Sequence, residues 1–292
     1  MLVNVYVWTW VIILILLPFS LPSSLALDNH RNTLQAKDGT GQLQKIVTWD
    51  QYAISVHGER VLLLSGEFHP FRLPSPGLWL DVFQKIRALG FSGVSFYLDW
   101  ALIEGEQGQI RMGGIFALDQ FFSAASEAGI YLIARPGPYI NAETSGGGFP
   151  GWLGRLHGRL RTTDQDYLDA ITPYISTVGG IIASAQITNG GPVILVQPEN
   201  EYTLCVETAG YTQINNLTIT GIESSCLEKE YMAYVENEYR KAGIVVPFIV
   251  NDAFPVGNFA PGTGAGAADI YSFDFYPLGW STARMSLSLS LL

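Results

Sequence analysis

The residues able to do chemistry gather in a few short segments. Gln197-Pro198-Glu199-Asn200-Glu201-Tyr202 follows directly on the apolar run Val193-Ile194-Leu195-Val196. A carboxylic acid held there can protonate a glycosidic oxygen. An adjacent amide can hold a sugar hydroxyl through a hydrogen bond that strengthens as positive charge develops on the ring. If the backbone is extended, Glu199 and Glu201 point to opposite sides and only one of them faces a pocket; the plain alternative is a pair of surface glutamates. A second segment, Arg135-Pro136-Gly137-Pro138-Tyr139-Ile140-Asn141-Ala142-Glu143, uses rigid prolines to present an amide and a carboxylate. Its plain alternative is a structural turn in which Glu143 pairs with Arg135. Tyr97 and Trp100 lie close to Asp99 at the end of another apolar run. Aromatic faces beside polar groups suit the stacking of a pyranose ring, although aromatics belong more often to a core.

These segments need a scaffold, and the hydrophobic pattern supplies one. Val61–Ser65 reads as a buried strand ended by Gly66. Leu78, Val82, Ile86 and Leu89 recur at helical spacing before Gly90, and Ser92–Leu98 is the next strand. Phe116–Ala128 reads as a helix closed by Gly129, followed by a strand over Tyr131–Ala134. Val193–Val196 is a strand, Tyr231–Ala242 a helix closed by Gly243, Val245–Val250 a strand, and Ile270–Phe275 the last strand-like run. Continuous apolar strands alternating with helices indicate an α/β fold with a parallel sheet buried on both faces. The polar residues cluster just after the strands, which favours a (β/α)8 TIM barrel over a doubly wound sheet. Six strands are countable, so either the fold is not a closed barrel or the chain stops before the barrel does. Gly262–Ala267 resembles a loose dinucleotide fingerprint but precedes a strand, the reverse of the required order, and no GxSxG elbow occurs.

The 292 residues carry a formal net charge of −10, with 48% hydrophobic and 12% aromatic residues. That composition excludes general disorder, and the acidic balance argues against a nucleic-acid partner. Residues 1–26 contain no charged side chain. The apolar run Tyr6–Phe19, broken by Pro18 and Pro22 and followed by Ser24-Leu25-Ala26, reads as a cleaved signal peptide. Being shorter than the roughly 20 residues of a spanning helix, it implies a secreted, extracellular protein with no membrane attachment after cleavage. Residues 27–46 read as a polar lead-in. Cys205 and Cys226 bracket the glycosylation sequon at Asn216, and an oxidising compartment favours a disulfide between them. The four histidines are scattered, so no metal site is expected.

The motifs resemble those of family 35 β-galactosidases, especially the secreted fungal ones. The likeness rests on Gly66-Glu67-Phe68-His69-Pro70-Phe71-Arg72, Tyr97-Leu98-Asp99-Trp100, Arg135–Glu143 and Gln197–Tyr202, in the family's order, from about Val47 to about Gly279. The resemblance implies a clan A (β/α)8 barrel over 47–279 that hydrolyses terminal β-galactosides with retention, using no metal or organic cofactor. The substrate partners would be β-galactoside oligosaccharides or glycans. It assigns Glu201 as acid/base and gives Tyr97, Asn141, Ala142, Glu143, Asn200 and Tyr276 contacts with the terminal galactose. Ascomycete members carry adjacent cysteines after the Asn-Glu-Tyr motif; here Val206 follows Cys205, and Cys226 is the substitute partner. The family's nucleophile, a second glutamate on the seventh strand, would fall after Leu292, so the barrel is expected to be truncated after about six strands, with 280–292 a low-complexity Ser/Leu tail outside the family pattern. Two alternatives stand beside hydrolysis: an inactive galactose-binding fragment, or a clan A glycosidase of other sugar preference.

Overall fold

The computed structural model describes residues 34–37, 43–202, 212–214, 217–219, 228–253 and 255–274. The segment 1–26, Cys205, Asn216, Cys226, Tyr276 and the tail 280–292 lie outside these residues. The described chain begins with an antiparallel sheet of β1 (Leu34–Lys37), β2 (Leu43–Trp49), β3 (Ile54–Val56) and β4 (Glu59–Val61) in that order. His57 and Gly58 join β3 to β4 with φ of 52° and 82°, the backbone of a tight two-residue hairpin turn. The polar stretch 27–46 thus contributes β1 and the start of β2, because backbone pairing with Thr48 and Trp49 does not require apolar side chains.

A parallel sheet follows: β5 (Ser65–Glu67), β6 (Gly93–Tyr97), β7 (Tyr131–Gly137) and β8 (Val193–Pro198), paired in chain order. Every residue of β6 and β8 is buried, as expected of strands covered on both faces. A short antiparallel hairpin, β9 (Thr212–Ile214) and β10 (Leu217–Ile219), comes next. β11 (Ile249–Asp252) and β12 (Ile270–Phe273) pair in parallel, and a parallel bridge between Val196 and Phe248 joins them to β8. The fold is therefore α/β with parallel strands in sequential order, and among the described residues β5 and β12 do not pair, so the ring is not closed.

The helices α1 (Pro76–Ala88), α2 (Trp100–Ile103), α3 (Asp119–Glu127), α4 (Gln165–Ser184) and α5 (Lys229–Lys241) cover the sheet. α1 starts with a proline in its first turn and gives way to Gly90 at φ 94°. Its buried face is Trp79 and Phe83; the predicted Leu78 and Leu89 are exposed. Phe121 of α3 stacks edge-on against Phe83 (4.9 Å) and Trp79 (5.4 Å) and fixes that choice of face. The predicted strand Val61–Ser65 divides: Val61 ends β4, Leu62 is 87% exposed, and Ser65 begins β5. The chain changes sheets there, and the Ser92 hydroxyl donates to the Leu62 carbonyl (2.7 Å) across the gap.

α4 escaped the sequence reading. It contains Pro173 and a Gly179-Gly180 pair, which lower helix propensity, yet ten of its residues are buried and tertiary packing holds it. Gly179 lets α5 approach: a Cβ there would lie 2.7 Å from that of Ala242. Trp100 is also a correction. It is fully buried, stacked on Tyr174 (4.9 Å) and donating to Glu104, so it is core and not a sugar platform.

Candidate active site

Strand ends meet in one open cleft of about 350 Å³. Its walls include Tyr97, Asn141, Ala142, Glu143, Asn200 and Glu201, all named from the sequence, together with Glu67, Arg135 and Asp274. Each follows or ends a parallel strand, the face on which barrel enzymes carry their functional groups. Among the described residues seven non-glycine residues have positive φ; Asn141, Ala142, Glu143 and Glu201 line this cleft, and Arg161 and Glu199 adjoin its Asn200. Such backbone is costly for L-residues and persists only where its surroundings enforce it.

The enforcement after β8 is visible. Glu199 turns away from the cleft into a fully buried position, where it accepts from Arg161 Nε (2.9 Å) and from the Tyr231 hydroxyl. Arg161 Nη2 also donates to the Asn200 carbonyl (2.7 Å), and the Tyr202 hydroxyl donates to the Arg161 carbonyl (2.8 Å). One glutamate in and one out matches the alternation expected of the segment, but for a different reason. Both glutamates have left-handed backbone, so strand pleating does not set their directions; Arg161 holds the Glu199 side chain, and Asn251 accepts the Glu201 N–H (3.1 Å).

Asn200 is oriented by convergence. Its Oδ1 accepts from the Tyr97 hydroxyl (3.0 Å), Arg135 Nη2 (2.8 Å) and Asn251 Nδ2 (2.9 Å). With Gln197 Nε2 (3.4 Å) they make four donors aimed at one atom and identify it as the carbonyl oxygen, which leaves the Asn200 NH2 to donate toward a ligand oxygen. Arg135 is itself fixed, its guanidinium 4.1 Å from the centre of the Tyr97 ring and donating to Glu67, which also accepts from the Ser95 hydroxyl (3.0 Å). Arg135 therefore pairs with Glu67, not with Glu143. Behind Tyr97, His69 Nδ1 accepts the Tyr97 N–H (3.1 Å). Burial, with help from Arg72 and Arg135 and against the pull of Glu67, lowers the His69 pKa to about 4, so the ring is neutral at pH 7.

The loop after β7 runs through Asn141, Ala142 and Glu143 at φ 55°, 47° and 46°. Arg72 donates to the Ala142 carbonyl and stands 4.0 Å from the Glu143 carboxylate. The Glu143 side chain is 85% exposed at the rim. Glu201 differs: it is half-buried, and its pKa rises to about 7. Burial is the leading cause, followed by a hydrogen bond to the Asp274 carboxyl and that group's charge; Arg135 and Arg161 oppose the shift. A glutamic acid that keeps its proton near neutral pH is suited to general acid and base work.

Asn251, Arg161 and Asp274 were not singled out from the sequence. Asn251 and Asp274 do stand at strand ends, the signal that located the other residues; Asn251 lies in no compact motif, and Asp274 opens the segment Asp274-Phe275-Tyr276-Pro277-Leu278-Gly279, in which the resemblance gives a role only to Tyr276. Among the described residues no group of three or more His, Cys, Asp and Glu side chains converges as metal ligands would.

Sequential parallel strands with amides and carboxylates at their C-terminal ends make an open α/β fold of the TIM-barrel type. The sequence profile described as Glycosyl hydrolases family 35 matches residues 53–285, and the chain belongs to that family. It is 59% identical over 242 residues to "Probable beta-galactosidase A" of Aspergillus phoenicis, covering 83% of this chain and 22% of that protein. It is 58% identical over 242 residues to "Beta-galactosidase" of Aspergillus niger, covering 83% of this chain and 23% of that protein. The chain thus spans less than a quarter of the length of these curated relatives. Among solved structures, the exo-beta-1,4-mannosidase Op5Man5 from Opitutaceae bacterium strain TAV5 shares the fold, with a TM-score of 0.55 at 13% identity over 84% of this chain and 40% of that one.

Proposed function

We propose that the chain carries the galactose-binding and acid/base part of a retaining β-galactosidase site, acting on terminal β-linked galactose of oligosaccharides or glycans. The observation that carries this reading is the pair at the end of β8. Glu201 holds a proton near neutral pH beside an Asn200 whose amide is locked with its NH2 available to a sugar hydroxyl. In this reading Glu201 protonates the departing glycosidic oxygen and later takes a proton from the attacking water. Asn200, Asn141 and the rim carboxylate of Glu143 hold hydroxyls of the terminal sugar, with the Ala142 backbone and the Tyr97 ring beside them; Tyr276 adds a further contact by resemblance alone. A retaining reaction also needs a second carboxylate about 5–5.5 Å from the first. The other two cleft glutamates are engaged elsewhere: Glu67 is held by Arg135 and Ser95, and Glu143 turns toward Arg72. That observation favours, as a second reading, galactose binding without turnover.

Secretion is part of the proposal, supported by the uncharged apolar segment before Ala26. No helix among the described residues is long and apolar enough to cross a membrane. The pairing of Cys205 with Cys226, in a loop carrying a glycan at Asn216, is proposed for the same compartment.

The test is release of nitrophenol from an aryl β-galactoside, beside aryl glucoside and mannoside, by the purified chain and by Glu201→Gln. The expected loss in the variant is about 10²–10⁴-fold, the usual worth of a positioned acid. Unchanged release in Glu201→Gln contradicts the assignment. Saturable galactose binding without release from either protein selects the binding-only reading, and preference for glucoside or mannoside selects another clan A specificity.

A further inference from the structure

Asp274 belongs to the cleft wall and stands two residues before Tyr276, with no role of its own from the resemblance. It stands one residue beyond β12, with its N–H donating to the Asp252 carbonyl (2.7 Å), so its position is tied to the end of β11. Asn251 of β11 then connects it to the end of β8. Asn251 Oδ1 accepts the Glu201 N–H (3.1 Å), and its Nδ2 donates to Asn200 Oδ1 (2.9 Å) while reaching both Asp274 oxygens at 3.4 and 3.3 Å. Glu201 and Asp274 are thereby held with their carboxyls in hydrogen-bond contact. Two carboxyls in that contact need one proton between them, since neither oxygen pair can otherwise donate.

We propose that Asp274 is a positioning residue of this site: anchored by Asn251, its carboxyl shares one proton with that of Glu201 and fixes how firmly and on which side Glu201 holds it. The proposal rests on the reading of Glu201 as the acid/base. The other charged and titratable groups around Glu201 do not supply this role. Arg135 from β7 is engaged with Glu67 and Asn200, and Arg161 with Glu199 and the Asn200 carbonyl; both cations disfavour a proton on Glu201. Glu67 from β5 is covered by Arg135, Glu143 sits exposed at the rim, and the Tyr97 phenol and the His69 ring are neutral at pH 7. When Glu201 gives its proton to the glycosidic oxygen, two carboxylates remain in contact, and their repulsion favours return of a proton from water to Glu201.

The test is a carboxyl carbon-13 NMR titration of the chain as it stands, labelled at Asp and Glu, with the Glu201 signal assigned by its loss in Glu201→Gln. In Asp274→Asn, which keeps the side-chain shape, the Glu201 midpoint is expected to fall by about one pH unit or more, a tenfold loss of proton affinity. Asp274→Ser, read in the same way, replaces it if the amide variant does not fold. A Glu201 midpoint unchanged in the folded variant overturns the proposal. Failure of the underlying reading looks different: hydrolysis persisting in Glu201→Gln removes the acid/base assignment while the coupled titration remains.

Discussion

Glu199 and Glu201 leave the end of β8 two residues apart and enter opposite surroundings. Behind the strand, Glu199 is sealed from solvent, paired with Arg161 and hydrogen-bonded by Tyr231. In front of it, Glu201 lines an open cleft and meets another carboxyl instead of a cation. The same side chain is thus a salt-bridged anchor on one side and a proton carrier on the other. What separates them is the surroundings: Glu199 is bridged to a guanidinium, whereas burial and a neighbouring carboxyl raise the pKa of Glu201. The strain of two left-handed glutamates is sustained by the rear anchor, so the reactivity of the front depends on the rigidity of the back.

The comparison breaks most visibly at the anchor. Glu199→Ala leaves Arg161 buried without its carboxylate and is expected to cost about 3–5 kcal/mol of unfolding free energy, read by denaturant melts. Asn251→Ala is next. It removes the amide that ties Glu201, Asn200 and Asp274 together, and isothermal titration should show galactose binding weakened by about tenfold for each 1.4 kcal/mol lost. His69 gives an acid limb. Its folded pKa of about 4 lies below the ordinary 6.5, so its contribution is present above pH 6.5 and is lost as pH falls through about 4. In His69→Gln that part of the pH–stability curve is expected to flatten. Tyr97→Phe deletes one of four donors to Asn200 and should cost about 1 kcal/mol in stability. The smallest effect belongs to the exposed rim: Glu143→Gln should change stability by no more than about 0.5 kcal/mol while altering galactose affinity.

Much of the scaffold was legible because its signals are local. The continuous apolar runs at β6 and β8 and the glycines closing α1, α3 and α5 state their roles within a dozen residues. The exposed Leu62 and the mis-set face of α1 show the limit. Which leucines are buried depends on Phe121 from a later helix and on a change of sheet, neither of which periodicity encodes. α4 was hidden by Pro173 and paired glycines whose cost is offset by packing against α5. The cleft residues carried by compact motifs, Tyr97, Asn141 to Glu143, Asn200 and Glu201, do meet in space. Their partners were not legible: Arg161 reaches Glu199 across 38 positions and Asn251 reaches Glu201 across 50, and such contacts exist only once the strands lie side by side.

The most direct measurement is thermal unfolding of Glu199→Gln and Glu201→Gln beside the parent chain at about pH 5 and about pH 8, on either side of the front carboxyl's titration. The folded Glu201 pKa of about 7 lies above the ordinary 4.5, so the parent loses stability as pH rises through that window. Glu201→Gln removes the titration and is expected to raise the melting temperature relative to the parent, more at the higher pH. Glu199→Gln is expected to lower it at both. If the two variants shift in the same direction with the same pH dependence, the division between a salt-bridged anchor and a proton-carrying acid is wrong.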